Sequence, residues 1–249
     1  VLRPLQYLRQ NRQISISVIP ASLEAGLDLR ALPELIRPRT RLLIVTHQSN
    51  VFGLITPLAT LTEALKPFPH VFLAIDAAQT AGGVPISLRS TPVDFLAFSG
   101  HKSLLGPTGT GGFVLSERLA SVLRPVRFGG TGVRSTEEIA VEELPWRFEV
   151  GTLNTWGLAG LEAGLDALLA EGVATIYARV HALTSYLIER LKPVPGVRLL
   201  LPSPTRHHGI LSFLRAPFAP VDQALLLEKT ANLRVRAGLH CAPEAHRLA

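Results

Sequence analysis

The sequence predicts an α/β protein: a mainly parallel sheet with helices on both faces, followed by a smaller α+β unit at the C-terminal end. Three observations predict it. Short apolar runs recur through the first half, at 41–46 (RLLIVT), 71–75 (VFLAI), 93–98 (VDFLAF) and 112–115 (GFVL). Segments of helical period lie between several of them, and alternation of strand and helix is the pattern of a parallel sheet covered by helices. After Pro195-Gly196 the order changes to two strand-like runs, a helix and one more run, which reads as a separate unit.

Taken in order, residues 2–10 place Leu2, Leu5 and Leu8 on one helical face, and residues 14–19 alternate like a strand. Asp28 is placed to cap a short helix over 29–36, shortened by Pro33 and Pro38. The run 41–46 is continuously apolar, as in a strand buried on both faces, and ends in His47-Gln48-Ser49-Asn50. Residues 56–68 have helical period. The run 71–75 ends in Asp76, and 93–98 ends in Ser99-Gly100-His101-Lys102. Residues 116–123 form a short helix, and 124–147 are irregular around Gly129-Gly130-Thr131-Gly132. Residues 157–191 read as two helices meeting at Gly172, the second long enough to bridge two domains. The expected domains are therefore 1–172 and 173–249. In the second, 197–201 and 209–214 read as strands, 221–231 as a helix and 233–236 as a last strand.

Composition narrows the function. With 249 residues and 47% hydrophobic content, the chain can bury a substantial core. The formal charge is +6, but the arginines (Arg3, Arg9, Arg12, Arg37, Arg39, Arg41) are scattered. Nucleic-acid binding prefers a clustered basic stripe, so no nucleic-acid partner is expected, only a modest attraction for anionic substrates. The single cysteine excludes an intramolecular disulfide. No apolar run approaches a membrane span and no signal-peptide pattern opens the chain, so the expected setting is cytoplasmic, with no membrane partner. The chain contains no Met and stops at Arg247-Leu248-Ala249 without a closing helix, which suggests a fragment of a longer protein.

The chemistry gathers at strand ends. An ionisable residue just past a buried strand sits at the carboxyl edge of a sheet, where α/β proteins bind ligands. Asp76, Gln79, Ser99, His101 and Lys102 bring an acid, an amide, a hydroxyl, an imidazole and an amine to that edge. The set suits a cofactor with an aldehyde, a basic ring nitrogen and a phosphate. Most lysines are solvated; one after a buried strand and before a Gly-rich loop can be partly desolvated and form a Schiff base. Asp76 either caps the turn that follows or pairs with a protonated pyridine nitrogen, keeping the ring an electron sink. Gln79 reaches the ring hydroxyl or a neighbouring loop.

Cys241 lies in Arg236-Ala237-Gly238-Leu239-His240-Cys241-Ala242-Pro243. A lone Cys is most often a small buried hydrophobe. Here Gly and Pro mark a loop, and Arg236 and His240 offer positive charge that favours a thiolate. A metal on His240, Cys241 and His246 is disfavoured, because no second ligand pair with structural-zinc spacing exists. His47, Ser49 and Asn50 are weaker signals; a His at a buried strand end is commonly a structural hydrogen-bonding residue. Gly129-Gly130-Thr131-Gly132 either cradles an anion or turns the chain. His207-His208 reads as a loop with no assigned role.

Together these stretches resemble the class V aminotransferase family and, within it, the cysteine desulfurases. The resemblance rests on THQSNVFG (46–53), DAAQTAGGVPI (76–86), DFLAFSGHKSLLGPTGTGGFVL (94–115), RFEVGTLNT (147–155) and RAGLHCAPEAHR (236–247), in the expected order over nearly the whole chain. It implies the fold type I of pyridoxal-phosphate enzymes, with residues 1–172 as the C-terminal part of the cofactor domain. It implies that Lys102 holds pyridoxal 5'-phosphate as an internal aldimine, that Asp76 pairs with the ring nitrogen and Gln79 with the ring hydroxyl, and that Ser99 and His101 contact the phosphate. Lys102, His101 and Cys241 would be catalytic, with Cys241 the nucleophile, and Asn50 and Arg236 would lie on the substrate side. Thr152 would reach the phosphate of a partner subunit, implying a homodimer with shared sites. The implied reaction converts L-cysteine to L-alanine, leaves a persulfide on Cys241 and hands sulfur to an acceptor protein, as in iron–sulfur cluster assembly. Selenocysteine or cysteine-sulfinate lyases, other class V aminotransferases and a non-catalytic remnant are alternatives. A ring-stacking His is expected just before Val1, a phosphate loop further upstream and a carboxylate-binding Arg beyond Ala249. Leu153 stands where Pro is common in the family and Trp156 where a small residue is common, both near the presumed dimer contact.

Overall fold

The computed structural model describes residues 1–11, 13–134, 136, 141–201 and 206–248. Arg12, Ala249, residues 202–205 and part of the irregular stretch, residues 135 and 137–140, lie outside the described residues.

The chain opens with α1 (Leu2–Gln10), none of whose residues is buried. The strand expected at 14–19 does not form. Alternation makes a strand only where a neighbouring edge accepts its hydrogen bonds, and here Ile14 and Val18 stay exposed. The first pairing is instead a two-residue ladder of β1 (Ala21–Ser22) with β2 (Gly26–Leu27). Asp28 caps as expected: its carboxylate accepts from the Arg30 amide at 3.3 Å, ahead of a 3₁₀ turn (Leu29–Ala31) and α2 (Leu32–Leu35). Pro33 is tolerated because it sits in the first turn of α2, where its missing N–H has no partner to lose.

The central sheet has the order β3 (Leu42–Thr46), β4 (Phe72–Asp76), β5 (Phe95–Ser99), β6 (Gly111–Leu115). The first three run parallel and β6 is antiparallel. Between β3 and β4, α3 (Leu58–Leu65) supplies the crossover and buries Leu58, Leu61 and Leu65 on one face. These pack with Val45, Leu73, Ile75 and Leu96 into the main core, where Leu61 and Ile75 are essentially inaccessible. At the amino edge, buried Asp94 accepts from the Leu73 amide (2.8 Å), the Ser116 hydroxyl (2.8 Å) and the Arg118 guanidinium (2.6 Å). It ties β4 and β5 to α4 (Glu117–Ala120), which Ser116 caps.

Asn154 caps α5 (Thr155–Glu171), accepting from the Gly157 amide at 3.0 Å. Gly172, at φ 86°, breaks the path, and α6 (Val173–Leu191) continues in a new direction, as the sequence suggests. Beyond it, β7 (Val197–Leu200) and β8 (Ser212–Arg215) form a separate antiparallel pair, followed by α7 (Pro220–Ala231). The strand expected at 233–236 is absent: α7 ends in left-handed Asn232, and Leu233 and Val235 remain exposed without a ladder partner. A 3₁₀ turn (Ala245–Arg247) lies near the end. Among the described residues no helix is long and apolar enough to cross a membrane.

Candidate active site

Asp76 closes β4 with a parallel neighbour on each side, Thr46 of β3 and Ala97 of β5 standing opposite it. It is half-buried. Its Oδ1 accepts from the Ala78 amide at 3.0 Å, and its carbonyl accepts from the His47 amide at 2.9 Å. The chain then turns through residues 77–80, closed by the Thr80 amide donating to the Ala77 carbonyl at 3.0 Å. Gln79 is half-buried on this turn. Gly82, at φ +87°, follows it; a Cβ there would lie 2.6 Å from the Ser103 carbonyl, so only glycine lets the turn meet the loop carrying Lys102.

That loop begins at Ser99, the last residue of β5, whose hydroxyl lies 3.0 Å from His101 Nδ1. His101 is exposed and Lys102 half-buried. The Leu105 amide donates to the Lys102 carbonyl (2.9 Å) and the Gly106 amide to the Gly100 carbonyl (2.8 Å), closing the loop on itself. Behind it, α5 packs closely: a Cβ on Gly164 would come within 2.8 Å of the Leu104 carbonyl, and Leu104 is buried with Leu161 and Leu168. Lys102 therefore stands on a loop wedged between the Asp76 turn and a helix.

The residues after β3 reach further. Gln48 is buried and donates to the carbonyl of His208 at 2.6 Å. The Ser49 hydroxyl accepts from the amides of Val51 (3.2 Å) and Phe52 (3.1 Å). Asn50 Nδ2 donates to the carbonyl of His240 at 2.6 Å, holding the loop of Cys241 at the end of β3. Ala242 and Ala245 pack against Val51, Phe52 and Leu200 on the same seat. Cys241 is exposed, with Arg236 Nη2 3.3 Å from its sulfur, and both His240 (φ 52°) and Cys241 (φ 60°) have left-handed backbones. Burial, then the charges of Arg236 and His246, lower the His240 pKa from its ordinary value. Arg236 is the cation within reach of the thiol, and the lowering at His240 works against a second positive charge there.

Thr152 is exposed on the segment leading into α5. The glycine run braces this segment, the Gly151 amide donating to the Gly130 carbonyl at 2.7 Å. His207 and His208 are not a surface loop: both are buried, His207 Nε2 lies 2.6 Å from the Ile210 carbonyl, and His208 stacks on Tyr177 with ring centroids 4.3 Å apart. Thr80, fully buried 2.8 Å from His47 Nδ1, carries no sequence signal of its own. Two clefts of about 540 and 720 Å³ lie elsewhere; neither is lined by Asp76, Lys102 or Cys241, although His47 lines the second.

The chain is similar in sequence and in fold to known proteins. A cysteine desulfurase of Pectobacterium carotovorum is 34% identical over 242 residues, covering 96% of this chain and 58% of its own length. The apo structure of a cysteine desulfurase from Thermococcus onnurineus superposes with a TM-score of 0.89 at 32% identity, over 99% of this chain and 62% of that one. A mutant of C-DES with glycine covalently linked to its PLP cofactor superposes with a TM-score of 0.82 at 25% identity, over 94% of this chain and 63% of that one. The chain thus spans about three fifths of the length of these relatives. The aminotransferase class-V family model matches residues 1–249 from end to end, and the chain belongs to that family.

Proposed function

We propose that this chain forms part of a pyridoxal-phosphate-dependent cysteine desulfurase that takes L-cysteine to L-alanine and receives the sulfur on Cys241. The observation that supports it best is the Asn50–His240 hydrogen bond, which joins the thiol loop to the sheet edge bearing Asp76 and the Lys102 loop. The donor set fits the cofactor: an amine for its aldehyde, a carboxylate for its ring nitrogen, an amide for its ring hydroxyl, and a hydroxyl–imidazole pair for its phosphate. When bound, pyridoxal phosphate supplies the electron sink for bond breaking at the substrate.

In this reading Lys102 holds the cofactor and, once displaced by the substrate amine, moves the Cα proton with its free amine. Asp76 keeps the ring nitrogen protonated. Ser99 and His101 orient the phosphate, and Asn50 and Arg236 orient the substrate. The Cys241 thiolate attacks the substrate sulfur: an S–S bond forms, the Cβ–S bond breaks, and Cβ takes a proton to become the methyl group of alanine. The division at Gly172 separates a cofactor unit from a unit carrying the thiol. Thr152 serves a second copy of the chain across a homodimer face. An acceptor protein takes the sulfur, in a cytoplasmic setting that suits a lone free thiol.

The test is the absorbance of the protein carrying this chain after pyridoxal phosphate is added, before and after borohydride, with Lys102→Ala alongside. A band that borohydride traps on Lys102 is expected, and its absence overturns the cofactor reading. In Cys241→Ala the band persists while sulfur release from cysteine falls by at least about a hundredfold; full release in that variant removes Cys241 from the nucleophile role.

A further inference from the structure

We propose that His47, through its hydrogen bond to Thr80, is the positioning residue for the turn that carries Asp76 and Gln79. His47 holds this turn at both ends. Its backbone amide donates to the Asp76 carbonyl at 2.9 Å, and its ring Nδ1 lies 2.8 Å from Thr80 Oγ1. Within the turn, the Thr80 hydroxyl's other partner, the Ala77 carbonyl, is 3.4 Å away, so the short bond of that hydroxyl is the one with His47. His47 is 4% exposed and Thr80 0%, so neither group has water as a substitute partner. Burial lowers the His47 pKa to about 4, which keeps the ring neutral and the edge around Asp76 free of a competing cation.

The geometry explains why the link matters. Gln79 lies between the two points His47 holds, and Asp76 is one of them. The backbone bonds of the turn set its shape; the imidazole sets its place against the end of β3. Loss of the side-chain bond frees the far end of the turn and leaves a buried imidazole nitrogen unpaired. The consequence for the cofactor rests on the reading above, whereas the link itself does not.

Four variants in the protein carrying this chain test it: Thr80→Val and His47→Gln, which break the bond, and Thr80→Ser and His47→Asn, which keep it. Asn places its amide at the Nδ1 position; Gln does not. The first pair is expected to weaken pyridoxal phosphate binding about tenfold and to shift the pH dependence of its absorbance band, while the second pair stays within about twofold of the parent. Amide exchange of residues 77–81 in the cofactor-free protein should rise about fivefold in the first pair and stay unchanged in the second. Equal behaviour of Thr80→Val and Thr80→Ser in that exchange overturns the proposal, because packing rather than the hydroxyl would then hold the turn. If no variant, nor the parent, shows the band, the cofactor reading fails while the exchange measurement still decides the link. Should Thr80→Val fail to fold, the contrast of His47→Asn with His47→Gln decides it.

Discussion

His47 and Asp94 work at opposite ends of the same strands and respond to acid for different reasons. The His47 pKa falls from 6.5 to about 4 on burial, so below pH 6.5 the unfolded chain binds a proton that the folded chain refuses. Its contribution is intact above pH 6.5 and is lost as pH falls towards 4, amounting to about 3 kcal/mol over the window. Burial lowers His207 and His208 in the same direction. Denaturant unfolding at pH 7 and at pH 4.5 should show this loss, and His47→Asn should remove a large part of it. Asp94 loses its contribution in the same direction, through a different balance of causes. Burial raises its pKa, but the Arg118 guanidinium, the Leu73 amide and the Ser116 hydroxyl together hold it below 3.8. Its stabilisation is present above the ordinary carboxylate range and disappears as pH falls through the lowered value. Asp94→Ala takes the acceptor from the Leu73 amide and the Ser116 hydroxyl and leaves Arg118 the Pro69 and Val71 carbonyls; it should cost about 3 kcal/mol, read as a shift in the urea midpoint at pH 7.

At the scale of elements, the Lys102 loop depends on α5. Gly164→Val would press two methyl groups onto the Leu104 and Leu105 backbone, which cannot yield without moving Lys102. It should destabilise the protein by about 1–3 kcal/mol and weaken cofactor binding in absorbance titrations. Helix–helix and strand–helix divisions were legible in advance: the α5–α6 break at Gly172, the cap at Asp28, and the strands ending in Asp76 and Ser99 follow from local residue pattern. The misread strands at 14–19 and 233–236 share one cause. Alternating or apolar residues announce a strand, but a strand exists only if another edge pairs with it, and no such edge is offered to either segment among the described residues.

At the scale of the molecule, Trp156 is 90% exposed, and Val126, Phe128 and Leu153 are exposed on segments joined by the Gly151–Gly130 bond. Under the homodimer reading this is the face a second copy covers, and large aromatics in such faces carry much of the binding energy. Trp156→Asp should raise the dimer dissociation constant at least about tenfold in sedimentation experiments; an unchanged constant moves the interface elsewhere.

The sequence by itself determined the α/β class, the strand ends and the residues set at them, because each depends on neighbours a few positions away. Only the tertiary structure decided that His47 meets Thr80, 33 positions on, that Gln48 meets His208 across 160, and that Asn50 meets the Cys241 loop across 190. A short polar segment after β3 is thereby bonded both to the Asp76 turn and to the thiol loop. Such bonds depend on the path of the whole chain, and local periodicity carries no information about that path.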